Sequence, residues 1–107
     1  MISRGSVCWV ESGSGPRIPV LVIQAESFNA SRIPTVVVVP LSSNLRLTEA
    51  PGNVLIPVSD SRLGRDLVAN VAHPLTLERR WLRETPGRVG DPVLGAIANG
   101  LRLVLDL

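Results

Sequence analysis

A chain of 107 residues, 45% hydrophobic and carrying a net charge of +2, has room for one domain (1–107), since domains most often run about 100–150 residues. All eleven basic residues are arginine, yet so small a net charge excludes a protein that coats nucleic acid indiscriminately; any anion must be met by a local patch. One cysteine, Cys8, and one histidine, His73, exclude an intrachain disulfide and a structural zinc site and favour a reducing compartment.

Only Trp9, Phe28 and Trp81 are aromatic, so Val, Leu and Ile must fill the core, which suits a small β-rich barrel or sheet. Ser6 to Val10 reads as a first strand, reached through Gly5. Glu11-Ser12-Gly13-Ser14-Gly15-Pro16 is a turn-rich connection. Pro19 to Gln24 is a second strand, with its proline at the first strand position. Ala25 to Pro34 is a loop. Thr35 to Pro40 is a third strand whose four consecutive valines fit burial on both faces.

Leu41 to Gly52 is a polar excursion closed by Pro51-Gly52. Asn53 to Val58 and Leu67 to Val71 are fourth and fifth strands, separated by a tight turn or a single 3₁₀ turn. Thr76 to Leu82 is expected to form a short helix with Thr76 as its N-cap, and Arg88-Val89-Gly90 a last short strand. The clearest helix is Asp91 to Leu107. Asp91 is its expected N-cap and Pro92 its first residue, with Leu94, Ile97, Leu101, Val104 and Leu105 on one apolar face. Gly95 and Gly100 each weaken it by about 1 kcal/mol, so packing must hold it.

Met1 to Gly5 contains no apolar h-region, and no apolar run reaches the roughly 18 residues of a membrane span; a cytoplasmic protein is expected. No phosphate-binding glycine loop is present, because Gly13-Ser14-Gly15 runs into Pro16-Arg17 and not into a helix with lysine. Nothing favours a Ser-His-Asp arrangement or a carboxylate metal site. His73 is read as a surface or capping residue, and Trp9 and Trp81 as packing or interface residues.

Two runs carry the chemistry: Arg17-Ile18-Pro19-Val20-Leu21-Val22-Ile23-Gln24 and Val36-Val37-Val38-Val39-Pro40-Leu41-Ser42-Ser43-Asn44. Each is a buried strand with polar groups at its rim. With Arg4-Gly5 and Arg65-Asp66-Leu67-Val68-Ala69-Asn70-Val71, their order and spacing resemble the MazF/PemK family of toxin endoribonucleases. The resemblance implies a mainly β fold with a C-terminal helix, a small SH3-like barrel of twisted antiparallel sheet, assembled as a two-fold homodimer.

The implied activity is metal-independent cleavage of single-stranded RNA at a short sequence through a 2′,3′-cyclic phosphate, without a cofactor. A cognate MazE-like antitoxin is the implied protein partner. In such enzymes an arginine directly before the strand proline steadies the phosphate, and a Thr or Ser after the third strand positions it. Here Ile18 precedes Pro19 and Arg17 lies one place earlier, so Arg17 and Ser42 are the catalytic candidates. Asn29, Ser43, Asn44, Arg46 and Phe28 are the candidate RNA contacts, with Arg32 a further basic residue. The shifted arginine and shortened first loop leave room for a weakened paralogue that binds antitoxin or RNA without efficient cleavage. A gyrase poison of the CcdB type is a third reading. It is disfavoured because such toxins lack the Pro-Val-Leu-Val-Ile-Gln and Pro-Leu-Ser-Ser-Asn pair and rely on their C-terminal helix end, whereas Leu101 to Leu107 is mostly apolar and is expected to be core.

Overall fold

The computed structural model describes residues 2–83 and 85–107. Strands β1 (Ser6–Val10), β2 (Ile18–Val22) and β3 (Thr35–Ser42) form a continuous antiparallel meander. The eight residues of β3 are shared by two halves of the sheet. One edge pairs with β2; the other pairs first with β6 (Leu75–Glu78) and then with β5 (Leu67–Ala69). Beyond β5 lies β4 (Val54–Ile56), and β7 (Gly87–Arg88) pairs with β1. Changing partners along one strand curls the sheet into a half-barrel, which matches the expected fold.

Strand alternation divides the core. Val7, Leu21, Val39 and Leu41 pack with Ile56, Leu67, Ala69 and Ile97 on one face, the inner one. Cys8, Val10, Val20, Val22, Val36 and Val38 pack with Leu77, Trp81 and Leu82 on the other. The valine run is thus buried from both sides, as its lack of alternation requires.

Segment 76–82 is not a helix. Residues Thr35–Val38 of β3 need a hydrogen-bonding partner, and Leu75–Glu78 supplies it, setting Leu77 opposite Val36 and Thr76 opposite Val37. Only Arg79–Trp81 retains a helical turn, of 3₁₀ type. Tertiary pairing outweighs weak local propensity here. Short helical turns also occupy parts of three connections between strands: α1 (Glu26–Asn29), a 3₁₀ turn at Leu45–Glu49 and α2 (Val58–Ser61).

Helix α3 (Asp91–Leu105) begins one residue earlier than expected, with Gly90 as its cap and Asp91 inside its first turn. Ile97 is fully buried and Leu94 and Leu101 pack on the core. The last turn does not: Leu103, Val104, Leu105 and Leu107 are 62%, 38%, 49% and 84% exposed. The expectation of a buried C-terminal end is therefore wrong, because the helix outruns the sheet that covers its first turns. Among the described residues, no helix is long and apolar enough to cross a membrane.

Gly100 has a packing reason. A Cβ there would lie 2.1 Å from the Gly52 carbonyl oxygen, whereas a Cβ on Gly95 would meet nothing within 4 Å. The same substitution should therefore have opposite signs at two positions of one helix. Gly95→Ala is expected to raise stability by about 0.5–1 kcal/mol, and Gly100→Ala to lower it by about 1–3 kcal/mol through overpacking. Urea denaturation of the two variants checks this.

Candidate functional site

The antiparallel order places the candidate residues at two opposite ends of β2 and β3. Ser42, Ser43, Asn44 and Arg46 follow the end of β3, where Arg17 leads into β2. Phe28 and Asn29 follow the other end of β2, separated by a five-residue strand, about 16 Å at the rise of a strand. The structure gathers the first group and leaves the second apart.

The distant group serves the fold. Asn29 is only 6% exposed and is not a surface RNA contact. Its amide nitrogen donates to the Gln24 carbonyl oxygen and to Glu26 Oε1, and its oxygen accepts from Gln24 Nε2, at 3.0, 2.9 and 3.0 Å. Gln24 is equally committed: its Oε1 accepts from the Val37 N–H at 3.2 Å. The glutamine closing the Pro-Val-Leu-Val-Ile-Gln run thus holds the far end of β3. Arg79 donates to the carbonyl oxygens of Asn29 and Phe28 at 2.8 and 3.2 Å, fixing the same loop and leaving the Phe28 ring 55% exposed. His73 sits in an exposed turn, its N–H bonded to the Asn70 carbonyl.

At the near end, the Ser42 Oγ accepts from the Asn44 N–H at 3.0 Å. The Asn44 side chain in turn caps the 3₁₀ turn by accepting from the Arg46 N–H at 3.2 Å. The hydroxyl is oriented by that N–H and retains its own proton to donate. Arg46 is exposed beside it.

Arg17 stands on the other side of the sheet. The β2–β3 register pairs Val20 with Pro40; continued, it sets Ile18 across from Ser42 and Arg17 level with Ser43. Alternation then gives Ile18 and Ser42 one face, and Arg17, Pro19, Leu41 and Ser43 the inner one. Contacts agree. The Arg17 guanidinium lies 4.8 Å from the centre of the Trp9 ring, within cation–π range. Its Nε is 3.7 Å from Glu11 Oε2, an exposed pair worth about 0–1 kcal/mol. Ile18 itself is 48% exposed.

Beside Arg17 the inner face opens into a cleft of about 240 Å³. Trp9 and Pro19 form one wall, Leu41 and Ser43 come from β3, and Leu63, Arg65 and Leu67 lead into β5. Asp66 fixes this last segment, its Oδ1 accepting from the Val58 N–H at 2.9 Å. The sequence reading takes Trp9 as a packing or interface residue and gives Arg65 no role. The alternation of Trp9 with Val7 on β1 was the available signal, because it puts the indole on the inner face at the strand's open end.

Cys8 belongs to the opposite face and is fully buried. Burial pushes its thiol pKa up, against a smaller lowering from the Thr85 hydroxyl at 3.5 Å; it is a packing residue, not a nucleophile.

A family model described as "PemK-like, MazF-like toxin of type II toxin-antitoxin system" matches residues 3–105. The chain belongs to this family. It is 42% identical over 113 aligned residues to endoribonuclease MazF6 of Mycobacterium tuberculosis, with 100% of this chain and 99% of the relative covered. Among solved structures, an endoribonuclease in complex with its cognate antitoxin from a mycobacterial species superposes with a TM-score of 0.78 at 25% identity, covering 99% of this chain and 94% of the other. The Mycobacterium tuberculosis toxin MazF-mt6 superposes with a TM-score of 0.82 at 18% identity, over 95% and 97% of the two chains, and shares the fold.

Glu26 offers a test of the far-end network. The Asn29 hydrogen bond, then the Arg4 backbone N–H, lower its pKa. A depressed folded-state pKa means that the stabilisation is present above the ordinary glutamate range and is lost as pH falls through the folded value. Wild type is therefore expected to exceed Glu26→Gln in stability near neutrality. The two should converge in acid, as followed by thermal melts across a pH series.

Proposed function

We propose that this chain is a toxin endoribonuclease that cuts single-stranded RNA at a short sequence, acts in the cytoplasm, and is held silent by a cognate antitoxin. Its full-length likeness to a relative named as an endoribonuclease carries the reading. The strand end supplies groups suited to the reaction. A 2′-hydroxyl oxygen attacks the adjacent phosphorus, the P–O5′ bond breaks, and the 2′ proton is balanced by protonation of the leaving 5′-oxygen. The products are a 2′,3′-cyclic phosphate and a 5′-hydroxyl, with no metal ion required.

Ser42 donates its hydroxyl proton to a phosphate oxygen, aided by the fixed Asn44 N–H that orients it. Arg17 reaches around the strand end to meet charge developing on the phosphate, a role for which its planar fork is suited. Ser43, Asn44 and Arg46 flank the RNA. The antitoxin partnership is supported by the fold shared with a toxin solved as an antitoxin complex. A two-fold homodimer accounts for the apolar surface left open by Leu103, Leu105 and Leu107 at the end of α3.

The weakened-paralogue reading draws on the shortened first loop and on the isoleucine that faces Ser42's side of the sheet. The exposed end of α3 removes one argument against a gyrase poison, but the Pro19–Gln24 and Pro40–Asn44 runs and the family's named activity favour RNA.

Digestion of a long unstructured RNA in the presence of EDTA decides among these readings. Defined cuts are expected, falling about 100-fold in Ser42→Ala, the usual cost of losing one donor to developing charge. Ile18→Arg places a guanidinium on Ser42's face and should raise the cleavage rate about tenfold, the equivalent of one charge-assisted hydrogen bond of about 1.5 kcal/mol. RNA binding without cuts would move the assignment to the weakened paralogue. Supercoiling inhibition with intact RNA would move it to the gyrase poison.

A further inference from the structure

Ser42 and Ser43 are neighbours that alternation sends to opposite faces of one strand end. A phosphate held at Ser42 therefore has the inner cleft immediately around the corner, and that cleft combines an indole ring, apolar walls and Arg65, with Arg17 over the ring. Arg17 covers the ring at 4.8 Å and leans on Glu11 at 3.7 Å. The connection that carries it has Gly13 and Gly15 at φ +100° and +87°, where an added Cβ would meet nothing within 4 Å.

We propose that the cleft is a nucleobase subsite in which an unpaired base of the RNA replaces the Arg17 guanidinium on Trp9, freeing Arg17 for the neighbouring phosphate. The proposal deepens the endoribonuclease reading and rests on it. Its chemistry is an exchange of partners on one ring. An exposed cation–π contact is weaker than the stacking of a base on an aromatic side chain, and the released guanidinium gains a full anionic partner in place of a solvated carboxylate. Ser43 at the rim accepts or donates one hydrogen bond to the base edge, and Arg65 donates. The cleft thus selects the base beside the cut while Ser42 addresses its phosphate. Arg17 links the two because it cannot occupy both positions.

Trp81→Phe leaves Trp9 as the sole tryptophan, and its emission reports the ring directly. The probe is a set of 2′-O-methyl RNA heptamers, which bind but cannot be cut because the 2′-oxygen is blocked. At least one sequence is expected to change Trp9 emission on binding. Trp9→Leu is expected to weaken that binding about tenfold, and Trp9→Phe to restore most of it, since an aromatic face is what a base requires. Arg17→Met should keep the emission change in the Trp81→Phe background while losing cleavage of unmodified RNA. Heptamers that bind with unchanged Trp9 emission, or no binding by any heptamer, would overturn the subsite. An emission change in a protein that cuts no RNA would overturn the endoribonuclease reading and leave the subsite standing, so the two failures are distinguishable.

Discussion

The register of β3 is the constraint on which the rest depends. Its eight residues hydrogen-bond to β2 along one edge and to β6 and β5 along the other, while both faces are covered by separate apolar clusters. A slip of one residue would exchange Val38 with Val39 and send each cluster's members into the other. Because no such slip is tolerable, the faces reached by Ser42 and Ser43 are settled by the valines that precede them. A central strand made to fill a core thereby also aims two hydroxyls at its open end.

The two ends of that strand are treated differently. At the start of β3, Gln24, Asn29 and Glu26 exchange hydrogen bonds among themselves and with Val37, and Arg79 clamps the loop from outside. Buried amides that satisfy one another this fully specify a conformation and have little left for a ligand. At the finish of β3, the hydrogen bonds are short-range and leave donors open: Ser42 accepts from Asn44, and Asn44 accepts from Arg46. Polar residues at one end are consumed by folding, and at the other they remain available for chemistry.

Much of this was legible in the residues. Runs such as Val20-Leu21-Val22 and Val36 to Val39 have no other good use than buried strands, and Pro92 marks the start of the long helix. What local pattern could not carry was anything decided by a distant partner. Leu75–Glu78 is a strand because β3 has a vacant edge, a fact absent from positions 75–78 themselves. Asn29 looked like a polar loop residue because its partner Gln24 is hidden in the neighbouring strand run. Likewise, the apolar spacing of α3 continues past the point where the sheet stops, so the same periodicity describes a buried Ile97 and an exposed Leu103. The site suffered from the same gap: Trp9 reads as core until its strand end is seen to be open.

Position 18 shows how narrow the margin is. A side chain there shares the face of Ser42, and isoleucine brings no charge to it, while the nearest arginine in sequence is held across the sheet by an indole and a carboxylate. A one-residue displacement in a strand is a change of face and not a small translation, so Arg17 cannot serve as a static substitute. Either the guanidinium is brought around the strand end when RNA arrives, or the reaction proceeds with less fixed charge at the phosphate. The first requires a group to take the vacated place on Trp9, and an unpaired base is the ligand component whose flat π-face fits it. The geometry that weakens a preassembled site is therefore the same geometry that would make catalysis conditional on the base being read.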